Sequence, residues 1–301
     1  AIVGDDHNCK SSTLPSQSEF AMMDAEIPVL NPASIQDVLD YGIHGWEMSR
    51  FSGAWAGLVA LADTMDSGSV VQVGLDRFNI VTPDFALPAD GVHMRRGDAP
   101  LLKEQRLRQV KLPAAQAYVR ANRLDHVILP SPKPRVGIVV TGQAARDVFE
   151  ALAALGIDPQ DAGRLGLAIY KVAMPWPLEP EGLKEFASGL DELIVIEEKR
   201  PLIEDQAKAI LYELNGRGPK IIGKKDETGA VIMPTNGELS AGKIARVLAR
   251  RLLGLHDHTR LRERLDFLDG HKKDAIKPAT DFQRIPYFCS GCPHNTSTRV
   301  P

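Results

Sequence analysis

From Arg135 to Ile222, strand-length apolar runs alternate with helix-length amphipathic segments, and this rhythm constrains the fold more than any other feature. Residues 136–140, 167–172, 193–197 and 220–222 read as strands, the first of them ending in Thr141-Gly142. Between the first two, residues 144–155 form a helix with Val148, Leu152 and Leu155 on one face and Gly156 as its stop. Residues 180–187 form the next helix, and Pro201 opens another over 202–214. Strands alternating with helices imply a parallel sheet with right-handed crossovers, here one α/β domain of roughly 100–120 residues. Residues 240–255 read as a further amphipathic helix, followed by a basic, polar stretch.

The N-terminal part is less regular. An apolar run over residues 1–3 stops at Gly4-Asp5-Asp6 and leads into the loop His7-Asn8-Cys9-Lys10-Ser11-Ser12-Thr13. In parallel α/β sheets the ligand crevice lies outside the carboxyl ends of strands, so this loop is either a site or a solvated turn. Residues 27–30 read as a short strand. Ser34 is placed as a helix N-cap with Asp37 at N3, ahead of Ile35, Val38, Leu39 and Ile43 at helical spacing. The small residues Gly53, Ala54, Ala56, Gly57 and Ala60 suggest a second, closely packed helix over 48–64, and residues 70–73 a further strand. Prolines punctuate residues 83–134, which read as an insertion or linker. It carries a helix over 103–123 whose basic residues, Lys103, Arg106, Arg108 and Lys111 among them, suggest a solvated face.

Composition narrows the function. The chain has 301 residues, 44% hydrophobic and 25% charged, with a net charge of -3. That balance gives no bulk electrostatic case for nucleic acid or an anionic membrane, and no apolar run approaches the roughly 20 residues of a membrane span. The three cysteines make no disulfide framework. Cys289 and Cys292, as Cys-Ser-Gly-Cys, can clasp one metal or part of an iron–sulfur cluster. A cluster or an all-cysteine zinc site needs four thiolates, and Cys9 is the one other cysteine. His294 could join a mixed zinc site, and plain surface thiols remain equally open. No G-x-G-x-x-G spacing supports a dinucleotide site. Glu197-Glu198-Lys199-Arg200-Pro201 sits at a strand's carboxyl end and reads first as a strand end plus helix cap; Glu204 and Asp205 suit the dipole of the helix that follows. The chain starts at Ala1 with a strand and stops at Pro301 in polar sequence, so it is expected to be an internal piece of a longer polypeptide.

The loop from Gly4 through Glu19, with Pro28-Val29-Leu30-Asn31-Pro32-Ala33-Ser34 and Ser49-Arg50-Phe51-Ser52-Gly53, resembles the thiamine-pyrophosphate pyrimidine domain of the 2-oxoacid:ferredoxin oxidoreductases. The long fused bacterial indolepyruvate ferredoxin oxidoreductases are the nearest form. Pro175-Trp176-Pro177-Leu178 and Val195-Ile196-Glu197-Glu198-Lys199, with Ile203-Glu204, resemble the transketolase C-terminal-like domain of the same enzymes. Phe288-Cys289-Ser290-Gly291-Cys292-Pro293-His294 resembles the opening of their pyrophosphate domain.

The resemblance implies an α/β fold with a partial pyrimidine-type thiamine diphosphate domain and a transketolase C-terminal-like parallel-sheet domain. The divisions expected are 1–82, an insertion over 83–134, 135–256, and a linker and domain start over 257–301. It implies oxidative decarboxylation of an aryl 2-oxoacid to an acyl-CoA, using thiamine diphosphate, Mg2+, a [4Fe-4S] cluster and coenzyme A, with electrons passed to ferredoxin. Asp6, His7, Ser11, Ser12, Gly291 and His294 are the expected cofactor-lining residues, and Cys289 and Cys292 the expected cluster ligands. The family's activating carboxylate and diphosphate loop are not assigned in this sequence, and no catalytic residue is named. Pyruvate-using relatives carry an arginine in the first loop. Here Lys10 is the cation offered, which fits a bulkier oxoacid. A cytoplasmic homodimer is expected, and this chain by itself is expected to be inactive. The rival reading is a non-catalytic α/β interaction module with a zinc clasp at Cys289 and Cys292.

Overall fold

The computed structural model describes residues 1–10, 12–214, 216, 218–273, 288–297 and 299. Strand β1 (Ile2–Asp5) is followed by helix α1 (Glu19–Asp24), β2 (Val29–Leu30), α2 (Ile35–Ser52), β3 (Gly57–Leu61) and the single turn α3 (Ala62–Met65). The three strands form a parallel sheet in the order β1-β3-β2. Helix α2 starts as its cap residues dictate. Ser34 Oγ accepts from Asp37 N at 3.1 Å, and Asp37 Oδ2 accepts from Ala33 N at 2.8 Å.

Two expectations fail in this part. Residues 48–64 are not one helix: α2 runs on to Ser52, and Gly53 stops it at φ 68°, its N–H donating to Ser49 O. A side chain at Gly53 would also collide with Val92. The small residues beyond it let β3 pass between β1 and β2, its side chains alternating buried and half-buried. Residues 70–73 form no strand; Val70 is fully exposed and the segment has no sheet partner. Local β propensity has nothing to pair with there.

Helix α4 (Pro100–Arg106), a π-helical stretch (Leu107–Lys111) and α5 (Leu112–Ala121) run end to end where one helix was expected. Its basic face is not wholly solvated. Arg106 is buried against Asp90, and the buried Lys111 Nζ donates to Gly53 O at 2.8 Å. Ala115, Tyr118 and Val119 of α5 pack with Leu30, Tyr41 and Met48.

The second sheet begins at β4 (His126–Leu129), inside the segment read as an insertion. It continues through β5 (Val136–Thr141), helices α6 (Ala144–Ala154) and α7 (Pro159–Arg164), and β6 (Leu167–Val172). Then follow α8 (Pro180–Ala187), β7 (Glu192–Ile196), α9 (Ile203–Tyr212), β8 (Lys220–Ile222), α10 (Ala241–Leu255), α11 (Thr259–Lys273) and the short α12 (His294–Ser297). Strand order is β4-β6-β5-β7-β8, parallel except for the antiparallel edge strand β4. Helices α6 and α10 cover one face, α8 and α9 the other.

The two sheets are stitched together. Val29 N donates to Trp176 O at 2.8 Å and Asn31 N to Ala173 O at 2.9 Å. Lys171 Nζ meets Asp37 Oδ2 at 2.6 Å, both side chains nearly enclosed. These bonds bring the loop after β1 against the carboxyl ends of β5 and β7. No described helix is long and apolar enough to cross a membrane.

Candidate functional site

The loop after β1 is built around Asp6. Its Oδ1 accepts from Lys10 N at 3.0 Å and its Oδ2 from Ser12 N at 2.8 Å. Its backbone N donates to Ser16 Oγ, and its carbonyl accepts from Cys9 N and Ser16 N. Cys9 adopts φ 55° to make this turn, and its thiol donates to Ser12 O. Asp6, buried, thus shapes the loop from beneath. Lys10, the cation that this loop offers, pairs with Asp63 Oδ1 at 2.7 Å. Ser12 is exposed at the loop's rim, and Ser11 lies outside the described residues.

His7 points inward, 6% exposed, and neither ring nitrogen has a protein partner. Burial is the main force on it and pulls its pKa below the usual histidine value. Beside it, Glu19 opens α1. Its Oε1 accepts from Asn31 Nδ2 at 3.0 Å, while Oε2 has no protein partner. Burial pushes the Glu19 carboxyl up to about 7, and the charges of Asp5 and Glu197 push the same way. Asp5, at the end of β1, accepts from Ser18 N at 2.9 Å and Ser18 Oγ at 2.7 Å. Ligand-capable atoms of Asp5, His7 and Glu19 lie within 4.8 Å of one another, all three side chains buried.

From the second sheet, Thr141, Glu197 and Glu198 close the same space with His7, Glu19 and Asn31. The cavity is about 10 Å³, room for one water or ion. Glu197 is the helix cap that its place suggested: Oε2 accepts from Leu202 N and Ile203 N, and Oε1 from Glu204 N, at 2.9–3.1 Å. Burial still raises its pKa to about 7, against the pull of those donors and of Lys224. Glu198 Oε1 accepts from Leu239 N at 3.0 Å, and Oε2 has no protein partner. Glu204 is buried, accepting from Lys224 N and pairing with Lys208.

The cysteine pair forms its own turn. Cys292 N donates to Cys289 O, Gly291 takes φ 81°, and Cys292 Sγ lies 3.3 Å from His294 Nδ1. Phe288 stacks on the His294 ring at 5.1 Å. Asp6, His7 and Ser12 are therefore gathered by one loop, and Cys289, Gly291, Cys292 and His294 by another. None of the second group lines the cavity beside His7. Asp5, Glu19, Asn31 and Glu198 were missed as site residues by sequence reasoning. Ser18-Glu19 at a helix start, after a strand ending in acid, was the one signal available.

Comparison with known proteins bears on what this geometry serves. The model of the indolepyruvate oxidoreductase domain matches residues 126–275, starting at β4. The indolepyruvate oxidoreductase subunit IorA of Pyrococcus abyssi is 25% identical over 98% of this chain. The corresponding subunit of Methanothermobacter marburgensis is 23% identical over 97%. The chain is a relative of the indolepyruvate ferredoxin oxidoreductases. It spans 43% of the length of these relatives. In fold, this indolepyruvate oxidoreductase relative is similar to a 2-oxoglutarate:ferredoxin oxidoreductase of Magnetococcus marinus solved with 2-oxoglutarate, coenzyme A and succinyl-CoA bound. The TM-score is 0.50 at 13% identity, covering 83% of this chain and 48% of that one. The expected α/β class stands, with a small parallel sheet and a larger, mostly parallel one.

Proposed function

We propose that this chain is the central portion of a thiamine diphosphate-dependent 2-oxoacid:ferredoxin oxidoreductase of the indolepyruvate type. It would oxidatively decarboxylate an aryl 2-oxoacid to its acyl-CoA and send electrons through iron–sulfur to ferredoxin. The observation that carries the reading is the match to IorA subunits along 97–98% of the chain. Thiamine diphosphate, when bound, would supply the electron sink that decarboxylation of a 2-oxoacid needs.

The chain's own residues fit that group in part. His7 is held neutral at pH 7 by burial, with both ring nitrogens free to donate or accept. Asp6 fixes the loop that presents it, Ser12 lies at its rim, and Ser11 is proposed to line the cofactor with them. Gly291 and His294 would meet the cofactor from the second turn. Cys289 and Cys292 supply two of the four thiolates a cluster needs, so the remaining ligands and those of Mg2+ come from elsewhere. The proposed divisions are 1–82, 83–134, 135–256 and 257–301, with β4 added to the third. A cytoplasmic homodimer that takes coenzyme A as co-substrate completes the reading.

The test is an anaerobic assay of the polypeptide that contains this chain. Viologen reduction that requires an aryl 2-oxoacid, coenzyme A and thiamine diphosphate is expected, with none from these 301 residues alone. Absence of oxoacid-dependent reduction by the longer protein overturns the proposal, and reduction by the short chain overturns its fragmentary nature. The 3.3 Å approach of Cys292 Sγ to His294 Nδ1 favours a second reading, a zinc-clasped interaction module. Stoichiometric zinc without iron or acid-labile sulfide would support that one.

A further inference from the structure

We propose that Asp5, His7 and Glu19 form a binding site for one divalent first-row cation, such as Zn2+, distinct from the cysteine turn. The site is set by local chain geometry. β1 ends at Asp5, the Asp6-centred turn directs His7 back toward the strand end, and α1 starts with Glu19 facing the same point. Both His7 nitrogens and Glu19 Oε2 are buried without a protein partner. Asp5 spends one acceptor position of each oxygen on Ser18, and a carboxylate oxygen has a second lone pair to give.

Two further observations converge. His7 and Glu19 line a void of about 10 Å³, large enough for an ion and too small for an organic ligand. The charges around it are also unbalanced. Glu19, Glu197 and Glu198 line the space, Asp5 lies within 4.8 Å of His7 and Glu19, and neither Asp5 nor Glu19 has an ion pair among the described residues. Of the nearby cations, Lys199 Nζ donates to Gly237 O and Arg200 is held by Gln17 and the Phe20 ring, while Lys224 serves Glu197 rather than Asp5 or Glu19. A buried carboxyl group without a counter-charge takes up either a proton or a cation, and a divalent cation satisfies Asp5 and Glu19 together.

The donor set selects the class of metal. One imidazole and two carboxylates suit Zn2+, Mn2+ or Fe2+, whereas Ca2+ and Mg2+ prefer all-oxygen shells. Metal–ligand bonds of about 2.0–2.2 Å put ligand atoms roughly 3.3 Å apart, so the present 4.8 Å envelope closes by side-chain rotation. Three protein ligands leave one position for water. The inference stands on these three residues and not on the thiamine reading.

The experiment uses the chain with Cys9, Cys289 and Cys292 replaced by serine, so that no thiolate competes. Zn2+ is titrated calorimetrically at pH 7.5, and melting is followed with and without the metal. One Zn2+ per chain is expected, with a rise in melting temperature of about 5 °C at saturation. His7→Gln and Glu19→Gln, each placed in the same background, should bind at least about tenfold more weakly and lose the metal-dependent rise. The metal-free melting of neither variant should fall below the parent's, which separates ligand loss from misfolding. Sub-stoichiometric binding by the cysteine-free parent overturns the proposal. So does undiminished binding in both single variants.

Discussion

At the scale of the residue, the acids behind the candidate site do unlike work. Glu197 is structural: its carboxylate takes three backbone N–H groups at the start of α9 in a buried place. Glu197→Ala leaves those donors without acceptors and should cost about 3 kcal/mol. Glu197→Gln, keeping one acceptor oxygen, should cost less, and urea unfolding of the two variants measures the difference. Glu19 is a buried acid with one oxygen unmatched, so it holds its proton up to about pH 7 in the fold. Its unfolded value is near 4.3, so between those values the folded state binds more protons than the unfolded one. The contribution of the neutral form is therefore complete below pH 4.3 and fades as pH rises to about 7. With EDTA present, Glu19→Gln should gain on the parent as pH goes from 5 to 8, by up to about 1 kcal/mol per pH unit. Parallel stability curves would show that Glu19 ionises freely in the fold. The cap role of Glu197 could be read along the chain, because its partners Leu202, Ile203 and Glu204 follow it closely in sequence. His7 and Asp6 stand out within a dense polar loop, but Glu19 acquires its partner Asn31 from a segment that folding brings to it.

At the scale of the element, legibility follows how local the stabilising pattern is. In the second sheet, β6, α8 and β8 fall where apolar periodicity puts them, and β6, buried along its whole length, carries the strongest apolar signature of the three. The first sheet is harder. β2 has two residues, and β3 sits among small residues that equally suit a packed helix. What decides is Gly53, whose left-handed φ stops α2, and the presence of β1 and β2 on either side. Glycine also governs the seam between the sheets. Gly142, at φ 51° after β5, lies where a Cβ would strike the Asn31 amide that holds Glu19. Gly189 has φ 79° with open space around its Cβ position. Gly189→Ala should thus cost only the conformational part, about 1 kcal/mol. Gly142→Ala should cost about 2 kcal/mol or more, and thermal melts of the pair isolate the close approach. Equal losses would mean that Asn31 yields without consequence.

At the scale of the molecule, the question is whether the two sheets fold as one unit. The seam holds a third apolar cluster, with Leu30, Tyr41 and Met48 from one side, Tyr118 and Val119 from α5, and Met174 from the other. Residues 112–121, inside what the sequence presents as a linker, are thus part of the glue. The Asp37–Lys171 pair crosses the seam, with Asp37 also capping Ala33 N at the start of α2. Removing Lys171 strands a nearly enclosed carboxylate, whereas removing both charges does not. Lys171→Met should therefore cost about 3 kcal/mol, and the double variant Asp37→Asn/Lys171→Met should recover part of it. Trp176 sits at the seam and is buried, so its fluorescence follows seam opening, while far-ultraviolet circular dichroism follows both sheets. If the seam couples them, the two signals coincide in urea for the parent. In Lys171→Met they still coincide, at a lower midpoint. A parent whose dichroism falls in two steps, with Trp176 changing in only one, would mean two independent folding units joined by chain rather than by packing.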